Sequence, residues 1–288
     1  MYYKNKQGGT FVTENRKAEL AGLAKEFRIE VIRTLHDVQT GHPGGSLSAT
    51  EILVALYFEV MRIDPTQPQL LHRDRFVLSK GHAAPMLYTV LAHRGYFPVE
   101  EIKTLRQINS RLQGHPCAHK TPGVELSTGP LGLGVSAALG MALAARLQGG
   151  DEYIYVLMGD GELQEGIVWE TAMAAAKFGA DHLIVIVDQN GVQLDGTVEE
   201  IMPEGDLRAK FASFGWNVLS CDGHDIEQIV DSVQCAQNHT GSPTVILAQT
   251  VKGKGVSFME GKNIWHGKPI DDAEYEQAMR ELKEGVRA

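Results

Sequence analysis

The stretch "YIYVLMGDGELQEGIVWETAMAAAKFGADHLIVIVDQN" spans residues 153–190 and reads strand, turn, helix, strand. Its two apolar runs, "YIYVLM" and "HLIVIV", are short and rich in Val and Ile, as in strands buried on both faces of a parallel sheet. The same signature recurs in "RFVLS" (75–79), "WNVLS" (216–220) and "TVILAQ" (244–249). Apolar residues at helical spacing lie between and before these runs, in 19–38, 48–61, 82–95, 132–150 and 225–238. The alternation predicts an α/β fold: a central, mainly parallel sheet with helices on both faces. No linker rich in Pro, Gly or Ser divides the chain. Residues 20–288 therefore read as one domain behind an N-terminal extension at 1–19. Residues 41–46 and 251–269 read as functional loops.

Composition removes several classes of function. The chain has 288 residues and a formal net charge of −9, and no basic block stands out. That argues against a nucleic-acid or anionic-membrane surface. No apolar run approaches the length of a bilayer span, and the polar start "MYYKNKQGGTFVTENRKAEL" lacks the apolar segment of a signal peptide. Cys117, Cys221 and Cys235 form no CxxC, so neither structural zinc nor a disulfide framework is expected, and a reducing cytoplasm suits the thiols.

The acidic turn at 159–161 poses a chemical question. In an open parallel sheet, ligands bind at the carboxyl ends of the strands. Glycines there let the backbone approach a phosphate, but Asp160 would repel one. A divalent cation resolves the conflict, since Mg²⁺ or Ca²⁺ takes hard oxygen ligands and bridges a carboxylate to a diphosphate. Asn190, at the tip of the next strand, can add an amide oxygen on the same edge. Either turn alone is also ordinary turn chemistry; two at adjoining strand ends favour the metal. The sequence lacks GxGxxG at the proper offset and any GxxxxGK[ST], so neither a dinucleotide fingerprint nor a P-loop is present. "VKGKG" (251–255) is a glycine-lysine loop that could face a phosphate, but the preferred reading is a solvated loop.

With the motifs in view, the chain resembles the transketolase family, specifically its N-terminal, diphosphate-binding part. GDG followed by roughly 28 residues and Asn is the pattern of thiamin diphosphate enzymes. "GHPGGSLS" (41–48), "RDRFVLSKGHAAPMLY" (73–88), "GHP" (114–116), "STGPLGLGVSAALGMA" (127–142), "GDGELQEGIVWE" (159–170) and "WHGKPI" (265–270) follow in that family's order. The resemblance covers the chain from about residue 20.

It implies a thiamin diphosphate-binding fold and a set of roles. Asp160, Asn190 and the Val192 carbonyl would hold Mg²⁺ or Ca²⁺. His82, His266 and the Gly161 N–H would meet the diphosphate, with Gly129 and Leu131 lining the cofactor's path. His42, His115 and His266 would face the donor sugar and serve catalysis. Glu165 and Glu170 would sit at a contact between copies. The remaining seven histidines have no motif behind them. The activity implied is transfer of a two-carbon ketol unit from a phosphorylated ketose to an aldose. The family's pyrimidine-binding and C-terminal domains are not in this sequence, so a complementary C-terminal subunit is expected, in an α₂β₂ assembly. Two alternatives stay open: a subunit of another thiamin diphosphate enzyme (deoxyxylulose-phosphate synthase-like or 2-oxo acid dehydrogenase-like), or a non-catalytic cofactor-binding module.

Overall fold

The computed structural model describes residues 3–4 and 10–284. Parts of the N-terminal extension and residues 285–288 lie outside these residues. Strands β1 (Tyr3–Lys4) and β2 (Thr10–Phe11) pair antiparallel. The main sheet holds β3 (Arg75–Leu78), β4 (Ile154–Gly159), β5 (Leu183–Gln189), β6 (Asn217–Asp222) and β7 (Thr244–Gln249), all parallel, in the order β3-β4-β5-β7-β6. All five strands fall on the five apolar runs.

Period-two alternation sorts the strand side chains into two cores. Tyr155, Leu157, Ile184, Ile186, Ile246 and Ala248 face one side. There they meet α1 (Glu14–Val38), α3 (Thr50–Ala55), α4 (Ala84–Arg94), α9 (Ile226–Gln237) and α10 (Asp272–Glu284). Val156, Met158, Val185, Val187 and Val245 face the other, against α5 (Leu133–Leu147), α6 (Gly166–Lys177) and α8 (Leu207–Ser213). A four-residue helix, α7 (Val198–Ile201), carries a capping box between Thr197 and Glu200. Among the described residues no helix is long and apolar enough to cross a membrane.

Three local readings differ from expectation. Helix α1 opens at Glu14, well before residue 20, because the Thr13 side chain caps it by accepting the Arg16 N–H. The stretch at 41–46 is not a loop throughout: α2 (Pro43–Ser48) begins there, with Pro at its first turn and Ser46 Oγ donating to the His42 carbonyl. The glycines permit close packing rather than disorder, since a Cβ on Gly44 would meet the Trp265 carbonyl oxygen at 2.8 Å. Finally, the helix expected over 48–61 tightens into α3 and then widens into a π-turn at Leu56–Val60. Two freed carbonyls there are taken by arginines: Arg94 Nε donates to Tyr57 and Arg16 Nη2 to Phe58.

The central strand should dominate stability. Ile186 is 1% exposed on β5, and truncation to Ala should cost about 2–5 kcal/mol of unfolding free energy. Urea denaturation with an unchanged slope checks this, and a loss below ~1 kcal/mol would contradict the packing.

Candidate active site at the carboxyl edge of the sheet

The carboxyl ends of β3, β4, β5 and β7 open onto a cavity of about 410 Å³. The sequence-predicted histidines converge on it from four separate segments: His42 before α2, His82 after β3, His115 in the loop before α5, and His266 in the 251–269 segment. Ring centroids lie 5.4 Å apart for His42–His82, 5.4 Å for His42–His266, 4.8 Å for His82–His266 and 6.0 Å for His42–His115. Gly129, Leu131, Asp160, Gly161, Glu165, Asn190 and Val192 line the same cavity. Glu170 does not; it is exposed on α6.

The imidazoles are held neutral. Burial, reinforced by Arg106, His115 and Lys252, pushes His42 down to about 4. Burial and then Lys252 push His266 down to about 3. His82, by burial and Lys80, and His115, by burial and Arg106, are lowered too. His42 Nδ1 is buried and has no hydrogen-bond partner among the described residues.

The acidic turn has the opposite problem. Burial and the neighbouring Asp188 push the Asp160 carboxyl up to about 6. Its two oxygens accept from backbone N–H groups, Gly161 at 2.8 Å and Gly191 at 2.5 Å. Asn190 Oδ1 accepts the Val192 N–H at 3.1 Å, while its Nδ2 donates to Asp188 at 3.3 Å. Among the described residues no group of three or more His, Cys, Asp or Glu could hold a metal ion. A cation here would therefore rest on one carboxylate and neutral oxygens.

Four residues of the site were assigned no role from the sequence. Lys252 overturns the reading of 251–255 as solvated: it is 2% exposed, and its Nζ reaches the Val192 carbonyl and His266 Nδ1, both at 2.9 Å. Burial and then Lys80 push its ammonium down to about 8. A lysine just before Gly253, three residues past the end of β7, was the available signal. Lys80 and Asp188 form an ion pair that is almost entirely buried. Glu162 is also buried, and it accepts from Ser79 Oγ, from the Gly132 N–H at 2.7 Å and from the Gly159 N–H at 3.1 Å. It clamps the 129–132 turn to the acidic turn. Gly132 is required there, with φ +80° and a Cβ position only 2.7 Å from Ile167 Cγ2.

An open α/β sheet whose carboxyl edge gathers an acidic turn, ammonium groups and neutral imidazoles defines a cofactor-binding enzyme domain. Residues 21–285 match the family described as "Transketolase, thiamine diphosphate binding domain", and the chain belongs to that family. It is 44% identical to the 6-deoxy-6-sulfo-D-fructose transketolase subunit SqwG of Clostridium sp. (strain MSTE9), over 94% of this chain and 99% of that one. It is also 44% identical to an apulose-4-phosphate transketolase subunit of Actinobacillus succinogenes, over 92% and 96%. Against the solved transketolase of Campylobacter jejuni the identity is 35% with a TM-score of 0.86, covering 92% of this chain and 42% of that one. The chain thus spans about two-fifths of the solved transketolases and nearly the whole of the curated subunits.

The lowered imidazoles make a pH prediction. A histidine whose folded pKa lies below its unfolded value of about 6.5 leaves the native state short of a proton on acidification, so stability is full above that pH and falls below it. For His42, between pH 6.5 and 4, substitution by Gln should reduce the slope of unfolding free energy by about one proton, ~1.4 kcal/mol per pH unit. Denaturant melts across that range measure it; an identical slope would place His42 in solvent.

Proposed function

We propose that the chain is the diphosphate-binding subunit of a two-subunit transketolase, which moves a two-carbon ketol unit from a phosphorylated or sulfonated ketose to an aldose. The observation that carries this reading is the convergence of four neutral imidazoles and one acidic turn on a single cavity. The relatives described above support the substrate class, since their names pair the word subunit with a sugar phosphate or a sulfo-sugar.

The residues fit the cofactor. Asp160, a buried carboxylate raised by burial and by Asp188, would be relieved by a divalent cation, Mg²⁺ or Ca²⁺, with Asn190 and the Val192 carbonyl as neutral ligands. The Gly161 N–H, His82, His266 and the ammonium of Lys252 face the space where a diphosphate would sit, with Gly129, Leu131 and Glu165 along the wall. Bound thiamin diphosphate supplies the electron sink for cleaving a carbon–carbon bond next to a carbonyl. The protein's own part is to bind, orient and move protons. His42, His115 and His266, all neutral, can donate to a developing alkoxide and carry a hydroxyl proton.

A complementary subunit with the pyrimidine-binding and C-terminal domains completes this reading, in an α₂β₂ assembly in the cytoplasm. The exposed apolar side chains Leu131, Leu133, Leu147, Met173 and Phe178, beside Glu165 and Glu170, support a contact between two copies along α5 and α6.

Calorimetry with thiamin diphosphate and Mg²⁺ tests the site. Asp160→Ala should abolish metal-dependent binding and Asn190→Ala should weaken it; unchanged affinity in Asp160→Ala sinks the assignment. With the partner present, His42→Ala or His115→Ala should lower turnover about 10²–10⁴-fold while changing cofactor affinity little. A His42→Ala protein that binds cofactor poorly yet turns over normally at saturation would reverse the roles.

A further inference from the structure

His224 lies outside the cavity, in the turn between β6 and α9, yet both of its ring nitrogens are engaged. The Val251 N–H donates to Nε2 at 2.8 Å, and Nδ1 lies 2.8 Å from Glu51 Oε2. An Nε2 that accepts leaves the proton on Nδ1, so the ring donates to Glu51. Glu51 in turn is gripped by Arg28, with Nη1 to Oε1 at 2.5 Å and Nη2 to Oε2 at 2.6 Å. Burial works against the Glu51 charge, but Arg28 and His224 hold it down at about 2.

This chain of contacts ends one residue from the cavity. Val251 precedes Lys252, whose Nζ reaches His266 and the Val192 carbonyl. The flanking backbone is pinned as well: Thr250 Oγ1 donates to Asp188, and the Gly253 N–H donates to the Gly44 carbonyl at 3.0 Å. The anchor at Val251 runs through His224, a side chain outside the cavity lining. Its acceptor is oriented by a buried ion pair contributed by α1 and α3.

We propose that Arg28, Glu51 and His224 form a positioning relay that fixes the Val251 backbone and thereby sets the Lys252 ammonium against His266. A metal-bound histidine is commonly oriented by a carboxylate behind it; here a carboxylate-oriented histidine aims a backbone N–H instead. The relay positions a residue that would contact the diphosphate, so its cofactor arm rests on the function proposed above.

Two polar substitutions separate positioning from mere packing. His224→Gln keeps an acceptor where Nε2 lies, whereas His224→Asn keeps only a donor toward Glu51. Hydrogen exchange of the purified chain, with no cofactor added, should show the Val251 amide exchanging about fivefold faster in His224→Asn, one hydrogen bond's worth, and unchanged in His224→Gln. Thiamin diphosphate affinity, by calorimetry with Mg²⁺, should fall about tenfold in His224→Asn and stay near wild type in His224→Gln. In a Lys252→Met background, His224→Asn should cost nothing more. Wild-type exchange at Val251 in His224→Asn, or the same tenfold loss persisting in Lys252→Met, would overturn the relay. Should the wild-type chain not bind thiamin diphosphate even with its complementary subunit present, the proposed function fails, and exchange at Val251 alone decides the relay.

Discussion

The carboxylate of Asp188 is the point on which the site depends. It is fully buried at the end of β5, and it collects Lys80 Nζ from the end of β3, Ser48 Oγ at 2.6 Å from the end of α2, Thr250 Oγ1 from the end of β7 and Asn190 Nδ2. Burial opposes its charge, but Lys80 and the two hydroxyls keep it below the ordinary carboxylate range. Each partner belongs to a segment that delivers a cavity residue: Lys80 leads to His82, α2 follows His42, and Thr250 leads to Lys252. A buried ion pair contributes little net stability, but breaking one side of it costs about 3–5 kcal/mol. Its use here is geometric. One anion fixes the separation of four chain segments that share no continuous sequence.

Around that anchor the charges are arranged in opposition. Asp160 and Asp188 repel across the acidic turn, and burial and then Lys80 depress Lys252. The histidines, close to these ammonium groups, stay neutral. Acidic and basic groups thus line the same cavity. Such a site favours a ligand that brings both signs, as a metal-bound diphosphate does.

The backbone serves the same end. Glu162 spans the two sides of the opening by accepting from Ser79 Oγ and from the N–H groups of Gly132 and Gly159. Burial raises its carboxyl, and those donors hold it in check. Gly132 and Gly44 stand where side chains would collide with their neighbours, so the walls of the cavity are set by close backbone approach.

The strands and most helices were legible in the sequence because hydrophobic periodicity is a local property. The runs around Val156, Val185 and Ile246 each report burial from their own composition, and Gly95 marks the end of α4 by its left-handed φ of 98°. The motif histidines and the acidic turn were legible too, because several glycines or prolines in a short span signal a backbone shaped around something. What the sequence did not disclose was partnership. Asp188 and Lys80 are 108 residues apart and Lys17 and Glu227 are 210 apart, and nothing local to either residue names the other. Lys252 read as solvated because a lysine in a glycine-rich loop is usually exposed; only the folding of 250–253 against α2 and His224 turned it inward. His224 carried no motif at all. Its role follows from the tertiary meeting of α1, α3 and the turn after β6, because hydrogen-bond geometry is decided by distance in space, which the order of residues along the chain does not record.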